Sequence, residues 1–313
     1  KGAFLKNEIS EGTWNDITHF EGNANAFRLL AHRFKGRRDG GFVMTYTTLA
    51  SIVKYPYESS LAGSHGKFGF FNTEAHTFKK IADELGVLCK SKPGEPLVYA
   101  RHPLVYLVEA ADDICYEIMD IEDSHKLKIL SFEKTKELLL GFFDETIRNS
   151  IEQRIIDEGI TDDNEKVIYM RACAIGKLEN VCAHTFIEHE EEILNGTFQG
   201  CLIDHIPEPQ HSAYKRCTEV SIQKIYKSKP VLDVELSGFK IMETLMEIMT
   251  EAAVHPDRFY SRQLISRVSS QYDITSPDLE TRIMAVIDYI SGMTDVYALD
   301  IYQKINGISL PIV

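Results

Sequence analysis

Residues 103–123 read PLVYLVEAADDICYEIMDIED, and the reading of this stretch decides the fold. Placed on a helix at about 100° per residue, Glu109, Asp112, Tyr116, Asp120 and Asp123 share one arc of roughly 80°. Leu104, Leu107, Val108, Ala111, Ile114, Cys115, Ile118 and Met119 gather on the other side, an apolar stripe that anchors such a helix in a core. An acidic stripe read from periodicity alone is most simply a solvated face. Its functional reading is a set of carboxylates able to offer an oxygen to a hard or borderline metal and to pair it with a water.

Outward from this helix, nearly every periodic stretch has helical spacing. Ala24, Phe27, Leu30 and Ala31 mark one face within residues 20–34, and Leu49, Ile52 and Val53 mark another within 45–55. Asn72 or Thr73 can cap a helix with the face Ala75, Phe78, Ile81, Ala82 and Leu85, which Gly86 stops. Ser131 caps a stretch to about residue 157, and Thr161 or Asp162 caps one to about 194. The looser region of roughly 196–218 holds the Pro207-Glu208-Pro209 turn and marks a connection. Alternation from Val220 to Val231 predicts a short strand or hairpin. Helices return at about 233–254 and 260–270, and Ser276-Pro277 predicts the start of another, with Leu279, Ile283, Val286, Ile287 and Ile290 on its face. The expected fold is all-α, a multi-helix bundle with at most one short hairpin.

The 313 residues suffice for one large domain or two ordinary ones, and 44% apolar with 26% charged content is ordinary for a globular protein. A formal charge of -13 repels nucleic acid, anionic membrane and nucleotide phosphates alike, so a polyanionic ligand needs a local basic pocket or a metal. The six cysteines (Cys89, Cys115, Cys173, Cys182, Cys201 and Cys217) form no CxxC pair or secreted framework and read as reduced core thiols of a cytoplasmic protein. No apolar run reaches the roughly 18 residues of a membrane span. The opening Lys1-Gly2-Ala3-Phe4 reads as mid-domain sequence, as expected of a piece of a longer protein.

Five short strings in order carry a resemblance. They are Phe20-Glu21-Gly22-Asn23-Ala24-Asn25, the segment Thr45 to Pro56, Lys67-Phe68-Gly69-Phe70-Phe71, EAADDICY at Glu109–Tyr116, and Asp288-Tyr289-Ile290-Ser291-Gly292-Met293-Thr294-Asp295. Together these resemble the FEGNAQ, T(Y/W)xxLxxIxKYP, KxGFF, EAADDIxY and DYISGMTD segments of bacterial dGTPase-like deoxynucleoside triphosphate triphosphohydrolases of the HD superfamily. The resemblance implies an HD-domain-like helical bundle, with residues 1–195 as the C-terminal portion of the catalytic core and 196–313 as a further helical region of the same enzyme. It also implies a metal-activated water that attacks the α-phosphate of a dNTP, preferably dGTP, releasing deoxynucleoside and tripolyphosphate. Mg²⁺ or Mn²⁺ is the implied cofactor, and a homo-oligomer, commonly a hexamer, the implied assembly.

Residue by residue, Asp112 is the implied metal ligand, and Tyr116 and Asp120 lie near the sugar. Lys54 and Lys67 sit inside matched strings and are assigned to the phosphates, because an ammonium is a compact cation with rotatable donors. Asn23 can orient a phosphate or the attacking water, or merely cap a helix. Tyr55 and Tyr116 can wall the deoxyribose and crowd a 2′-hydroxyl. Glu235 and Arg262 match positions that in the family reach a neighbouring subunit's site. Lys35-Gly36-Arg37-Arg38 reads as a solvated loop, and His184 with His189, five apart, lacks the four-residue spacing of a helical metal pair.

One element of the family pattern is missing. None of the eleven histidines is followed by aspartate, so the histidine and His-Asp ligands that accompany the distant aspartate are not in this sequence. The segment alone is expected to be inactive, its catalytic groups lying upstream. A non-catalytic nucleotide-binding or regulatory protein is the alternative. A single-stranded DNA effector is a further partner for which the net charge is unfavourable.

Overall fold

The computed structural model describes residues 3–309; the opening Lys1-Gly2 lies outside them. Among the described residues the α-helices are α1 (Glu11–Thr18), α2 (Gly22–Ala31), α3 (Tyr46–Ser51), α4 (Ala75–Leu85), α5 (Pro103–Lys126), α6 (Phe132–Leu140), α7 (Glu145–Asp157), α8 (Asp163–Glu188), α9 (Glu190–Leu194), α10 (Gln210–Val220), α11 (Lys229–Val254), α12 (Phe259–Ile265), α13 (Leu279–Ser291) and α14 (Asp295–Ile305). Extended pairing among these residues is confined to isolated bridges, Tyr57 with Val98, Glu58 with Phe70 and Cys89 with Tyr99. The all-α expectation holds.

By internal contacts the chain forms two compact units: residues up to 101 together with those from 234 onward, and residues 102–233. The Pro207–Pro209 segment, exposed at all three residues, is a surface turn inside the second unit, as its turn-forming composition predicts.

In the first unit, α2, α3 and α4 enclose Phe27, Leu49, Val53, Phe70, Phe78, Ile81 and Tyr99. Phe70 stacks on Phe78 with centroids 4.7 Å apart, and Phe27 meets Phe78 edge-on. Each such ring taken out of water contributes about 1.5–3 kcal/mol before entropy is counted. Gly86 ends α4 at φ +67, where a left-handed residue without a Cβ relieves the last turn. Asn72 and Thr73 do not cap that helix. They belong to a 3₁₀ turn, and the Asn72 N–H donates to Asp16 instead. A second cluster joins Leu245, Met249 and Ala252 of α11 to Ile283, Val286 and Ile290 of α13.

α13 is pinned to α2 by a buried ion pair. Arg28 donates from Nε to Asp288 Oδ1 at 2.7 Å and from Nη2 to Oδ2 at 2.8 Å, and its Nη1 reaches Glu74 Oε1 at 2.7 Å. Arg28, Glu74 and Asp288 are at most 3% exposed. Burial disfavours the guanidinium charge, yet the two carboxylates hold the Arg28 pKa above its ordinary value. Asp288, which opens the DYISGMTD string, is therefore a structural carboxylate.

The second unit is built on α5 against α8. Ile114, Ile118 and Ile121 of α5 share a core with Val167, Met170, Ala174 and Leu178 of α8. The apolar stripe assigned from sequence is only partly the buried one: Leu104, Val108, Ala111, Cys115 and Met119 are exposed, whereas Glu109, Glu117 and Glu122 are buried. α5 carries more apolar residues than one face can bury, and donors from neighbouring helices make the carboxylates tolerable inside.

Several boundaries are corrected. The 131–157 stretch breaks at Gly141–Phe143, where Phe142 is fully buried between α6 and α7. Thr45–Tyr55 is helical only to Ser51, and α13 starts after Asp278, which caps it, rather than at Ser276. The strand expected at 220–231 is a π-helical turn, Ser221–Ile225, running on from α10.

Candidate functional site

Four of the sequence-assigned residues meet in the first unit. Glu21 precedes α2 and caps it: its Oε2 accepts from the Asn23 N–H at 2.5 Å and the Ala24 N–H at 3.3 Å. Its Oε1 accepts from Asn23 Nδ2 and from Lys67 Nζ, each at 3.0 Å. Asn23 is thus not the cap, and its amide is held beside Lys67 through a shared carboxylate. Sequence reasoning missed Glu21; a carboxylate followed by glycine at a helix start is the local signal that identifies it as a cap.

Lys67 is placed by its neighbours in sequence. Phe68, Phe70 and Phe71 are fully buried, so the turn is anchored by three rings and the lysine before them is left at the surface. Gly69 has no alternative in this turn: a Cβ there would stand 2.1 Å from the Tyr55 carbonyl oxygen and 2.6 Å from Val53 Cγ1. Its N–H donates to Tyr57 O at 3.0 Å. That close approach lays the turn against the Lys54-Tyr55-Pro56 segment. The Lys54 and Lys67 ammonium groups consequently stand 5.9 and 5.8 Å from the centre of the Tyr55 ring. The hydrogen bond to Glu21 holds the Lys67 pKa above its ordinary value, so it is a full cation at neutral pH. An open cleft of about 670 Å³ is lined by Glu21, Gly63, His65, Gly66 and Lys67.

Glu235 on α11 and Arg262 on α12 are exposed, and among the described residues neither side chain makes a hydrogen bond or ion pair. They are not drawn into the lysine cluster by any such contact.

The remaining assigned residues lie on α5 in the second unit. Asp112 is exposed and Tyr116 is 68% exposed. Asp120 is half-buried and accepts from the Tyr226 hydroxyl at 2.7 Å, a contact with no local signal in the sequence. One turn earlier, Glu117 accepts from Thr218 Oγ1 at 2.8 Å and Ser221 Oγ at 2.7 Å. Tyr214 donates to the Asp113 carbonyl at 3.1 Å. Hydroxyls of α10 and the π turn therefore serve successive turns of α5. Burial raises the Glu117 pKa, which the two hydroxyl donors only partly offset. Burial and the Asp120 charge push the Tyr226 phenol up, so it stays a donor at neutral pH.

A divalent metal does not find a site in these residues alone. Among the described residues no three histidine, cysteine, aspartate or glutamate side chains converge as ligands, and Asp112 by itself is one exposed carboxylate. His184 and Glu188 are exposed, and His189 packs on the Phe198 ring. No described helix is long and apolar enough to cross a membrane.

Similarity to known proteins follows the same residues. A phosphohydrolase-associated domain matches residues 205–304. A deoxyguanosinetriphosphate triphosphohydrolase-like protein of Pseudomonas aeruginosa is 32% identical over 314 residues, 97% of this chain and 69% of the relative. Its counterpart in Synechocystis is 33% identical over 310 residues, 94% of this chain and 67% of the relative. A deoxyguanosinetriphosphate triphosphohydrolase of Yersinia enterocolitica is 25% identical over 339 residues. With near-complete coverage of an all-α chain in which the Glu21, Lys67 and Asp288 strings interlock, the chain belongs to the deoxyguanosinetriphosphate triphosphohydrolase-like family.

Proposed function

We propose that this chain is the substrate-pocket portion of a dNTP triphosphohydrolase, with dGTP the preferred substrate. The observation that carries the reading is the pair of ammonium groups, Lys54 and Lys67, on one Tyr55 ring with the Asn23 amide held beside them. In a chain of charge -13, a local pair of cations is what a triphosphate needs. Lys54 and Lys67 hold the phosphates, Asn23 orients a phosphate oxygen or the water, and Tyr55 walls the sugar, while Tyr116 and Asp120 carry the sugar-side roles that the family likeness gives them. Glu235 and Arg262 serve the site of a second copy in a homo-oligomer, a hexamer by family likeness.

The reaction on this reading is attack of water at the α-phosphorus, which breaks the bond to the nucleoside oxygen and releases deoxynucleoside and tripolyphosphate. The cations offset the charge that develops on the phosphate oxygens. A divalent ion, Mg²⁺ or Mn²⁺, supplies activation of water in such hydrolases, and Asp112 is this chain's candidate ligand for it. The residues present do not complete that site. Residues 1–195 then form part of the catalytic core and 196–313 an accessory helical region of the same cytoplasmic enzyme.

The test incubates the product of the complete gene with dGTP and Mn²⁺ or Mg²⁺ and separates the products. Deoxyguanosine plus tripolyphosphate is expected. Release of mono- or diphosphate instead refutes cleavage of the bond between the α-phosphorus and the nucleoside oxygen, and nucleotide binding without turnover establishes the non-catalytic alternative.

A further inference from the structure

Glu21 is used twice. Its Oε2 consumes the first free N–H groups of α2, at Asn23 and Ala24, and its Oε1 takes one hydrogen of Lys67 and one of the Asn23 amide. Its side chain is 4% exposed, whereas that of Lys67 is 47% exposed. A carboxylate with four donors and almost no solvent is fixed. A half-exposed lysine on a flexible stem is the partner that moves.

Two consequences follow for an anion arriving at the pocket. The N-terminus of α2, otherwise a ready anion site, is already filled by the protein's own carboxylate, so the lysines must supply the attraction. Moreover, Lys67 arrives partly neutralised. A phosphate oxygen takes Lys67 only by sharing it with Glu21 or drawing it away.

We infer that Glu21 is a resident counter-ion of this site, a fixed internal carboxylate that competes with phosphate for Lys67 and thereby limits how tightly the pocket holds a polyphosphate. The inference rests on the reading that Lys67 meets phosphate. It also fits the reaction proposed above. Tripolyphosphate is a highly charged product, and a Lys67 without its counter-ion would retain it longer, while binding that substrate and product share equally does nothing for turnover.

The experiment titrates inorganic tripolyphosphate into the chain by calorimetry at low ionic strength, where exposed charges are least screened. The parent, Lys67→Ala, Glu21→Gln and Glu21→Asn are compared, with a thermal midpoint for each. Asparagine is among the best N-caps, so Glu21→Asn keeps α2 capped while removing the charge and the reach to Lys67. Lys67→Ala is expected to weaken binding severalfold. Both Glu21 variants are expected to tighten it about fivefold, the effect of removing one like charge a few ångströms from an anion in a partly exposed pocket. A gain in Glu21→Asn, which keeps the α2 N–H groups occupied, assigns the effect to the counter-ion, whereas a gain confined to Glu21→Gln would come from an uncovered helix N-terminus and overturn the counter-ion role. If Lys67→Ala weakens binding and the Glu21 variants bind no tighter than the parent, the counter-ion role is overturned and the phosphate reading stands. If Lys67→Ala has no effect, both fall.

Discussion

Replacing Arg28 with methionine separates a structural from a catalytic account of the DYISGMTD string. Among the described residues the guanidinium is the one cation bonded to both Asp288 and Glu74, and all three groups are at most 3% exposed. Methionine fills a similar volume and carries no charge, so two buried carboxylates lose their cation together. Breaking one buried pair costs about 3–5 kcal/mol. Arg28→Met therefore falls at or above the top of that range, which is a large share of an ordinary stability of about 5–15 kcal/mol. Asp288→Asn is milder, about 2–3 kcal/mol, because the guanidinium keeps Glu74 and the amide oxygen still accepts one of its N–H groups.

The pH dependence identifies the cause. An uncompensated buried carboxylate binds its proton more tightly than in the unfolded chain, so its penalty is largest at high pH and shrinks as pH falls through the raised folded pKa. Stability of Arg28→Met relative to the parent should rise from pH 8 to pH 5, by up to about 1.4 kcal/mol per pH unit for each carboxylate. In the parent, Glu74 has the opposite sign: burial favours its neutral form, but His32, Arg28 and Thr73 win and hold its pKa below the ordinary value. The assay is urea unfolding followed by far-UV circular dichroism at pH 8, 7, 6 and 5. If the variants differ from the parent by less than about 1 kcal/mol, or the Arg28→Met deficit does not change with pH, the reasoning fails.

Three further outcomes can be checked alongside. Gly69→Ala forces a Cβ onto the Tyr55 carbonyl and Val53, neither of which is a flexible chain end, and should cost about 2 kcal/mol or more with a matching fall in thermal midpoint. A variant within a degree of the parent would show that the turn does not lie against Tyr55. Tyr226→Phe removes the donor to half-buried Asp120 and should cost about 1 kcal/mol; no change in urea midpoint would make that bond inconsequential. Because burial raises the Glu117 pKa, its contribution to stability declines as pH climbs from the ordinary carboxylate range through the raised folded value. Glu117→Gln, whose amide still pairs with two hydroxyls because either can accept, should flatten that decline without loss at pH 7; a slope as steep as the parent's would exclude Glu117 as its origin.

Legibility differed between the fold and the site for a physical reason. Helix faces such as Phe27 in α2, Phe78 and Ile81 in α4 and Ile283 to Ile290 in α13 were readable because periodic burial leaves a local signature. The π turn was not. Its fully buried residue is Ser221, which is tolerated there only because Glu117, distant in sequence, accepts from it. The same holds for α5, whose inward side includes Glu109, Glu117 and Glu122 and whose outward side includes Val108 and Met119. Amphipathic reading puts charge outside, and the partners that reverse the rule lie in other helices. In the lysine cluster, Lys67 and Asn23 belong to strings that stand out in the sequence, but the carboxylate that joins them does not, since an ion pair between residues 21 and 67 has no period.

Asp112 is the residue on which a catalytic role is most cleanly tested, because the structure gives it no other task. It is exposed in the middle of α5, and among the described residues its carboxylate makes no hydrogen bond or ion pair. Alanine is the better helix former by roughly 0.5 kcal/mol, so Asp112→Ala should fold at least as well as the parent and leave its thermal midpoint level or slightly higher. Its neighbour Glu117 is the contrasting case: buried and bonded twice, it would give lost activity and lost stability together on truncation to alanine. The decisive measurement is dGTP turnover by the complete-gene product carrying Asp112→Ala, read against its unfolding curve. Turnover abolished with folding intact assigns Asp112 to the reacting centre, because an exposed, unbonded carboxylate has no packing role through which to act. Turnover retained removes Asp112 from the metal set, and marked unfolding would instead mean that α5 depends on it for stability.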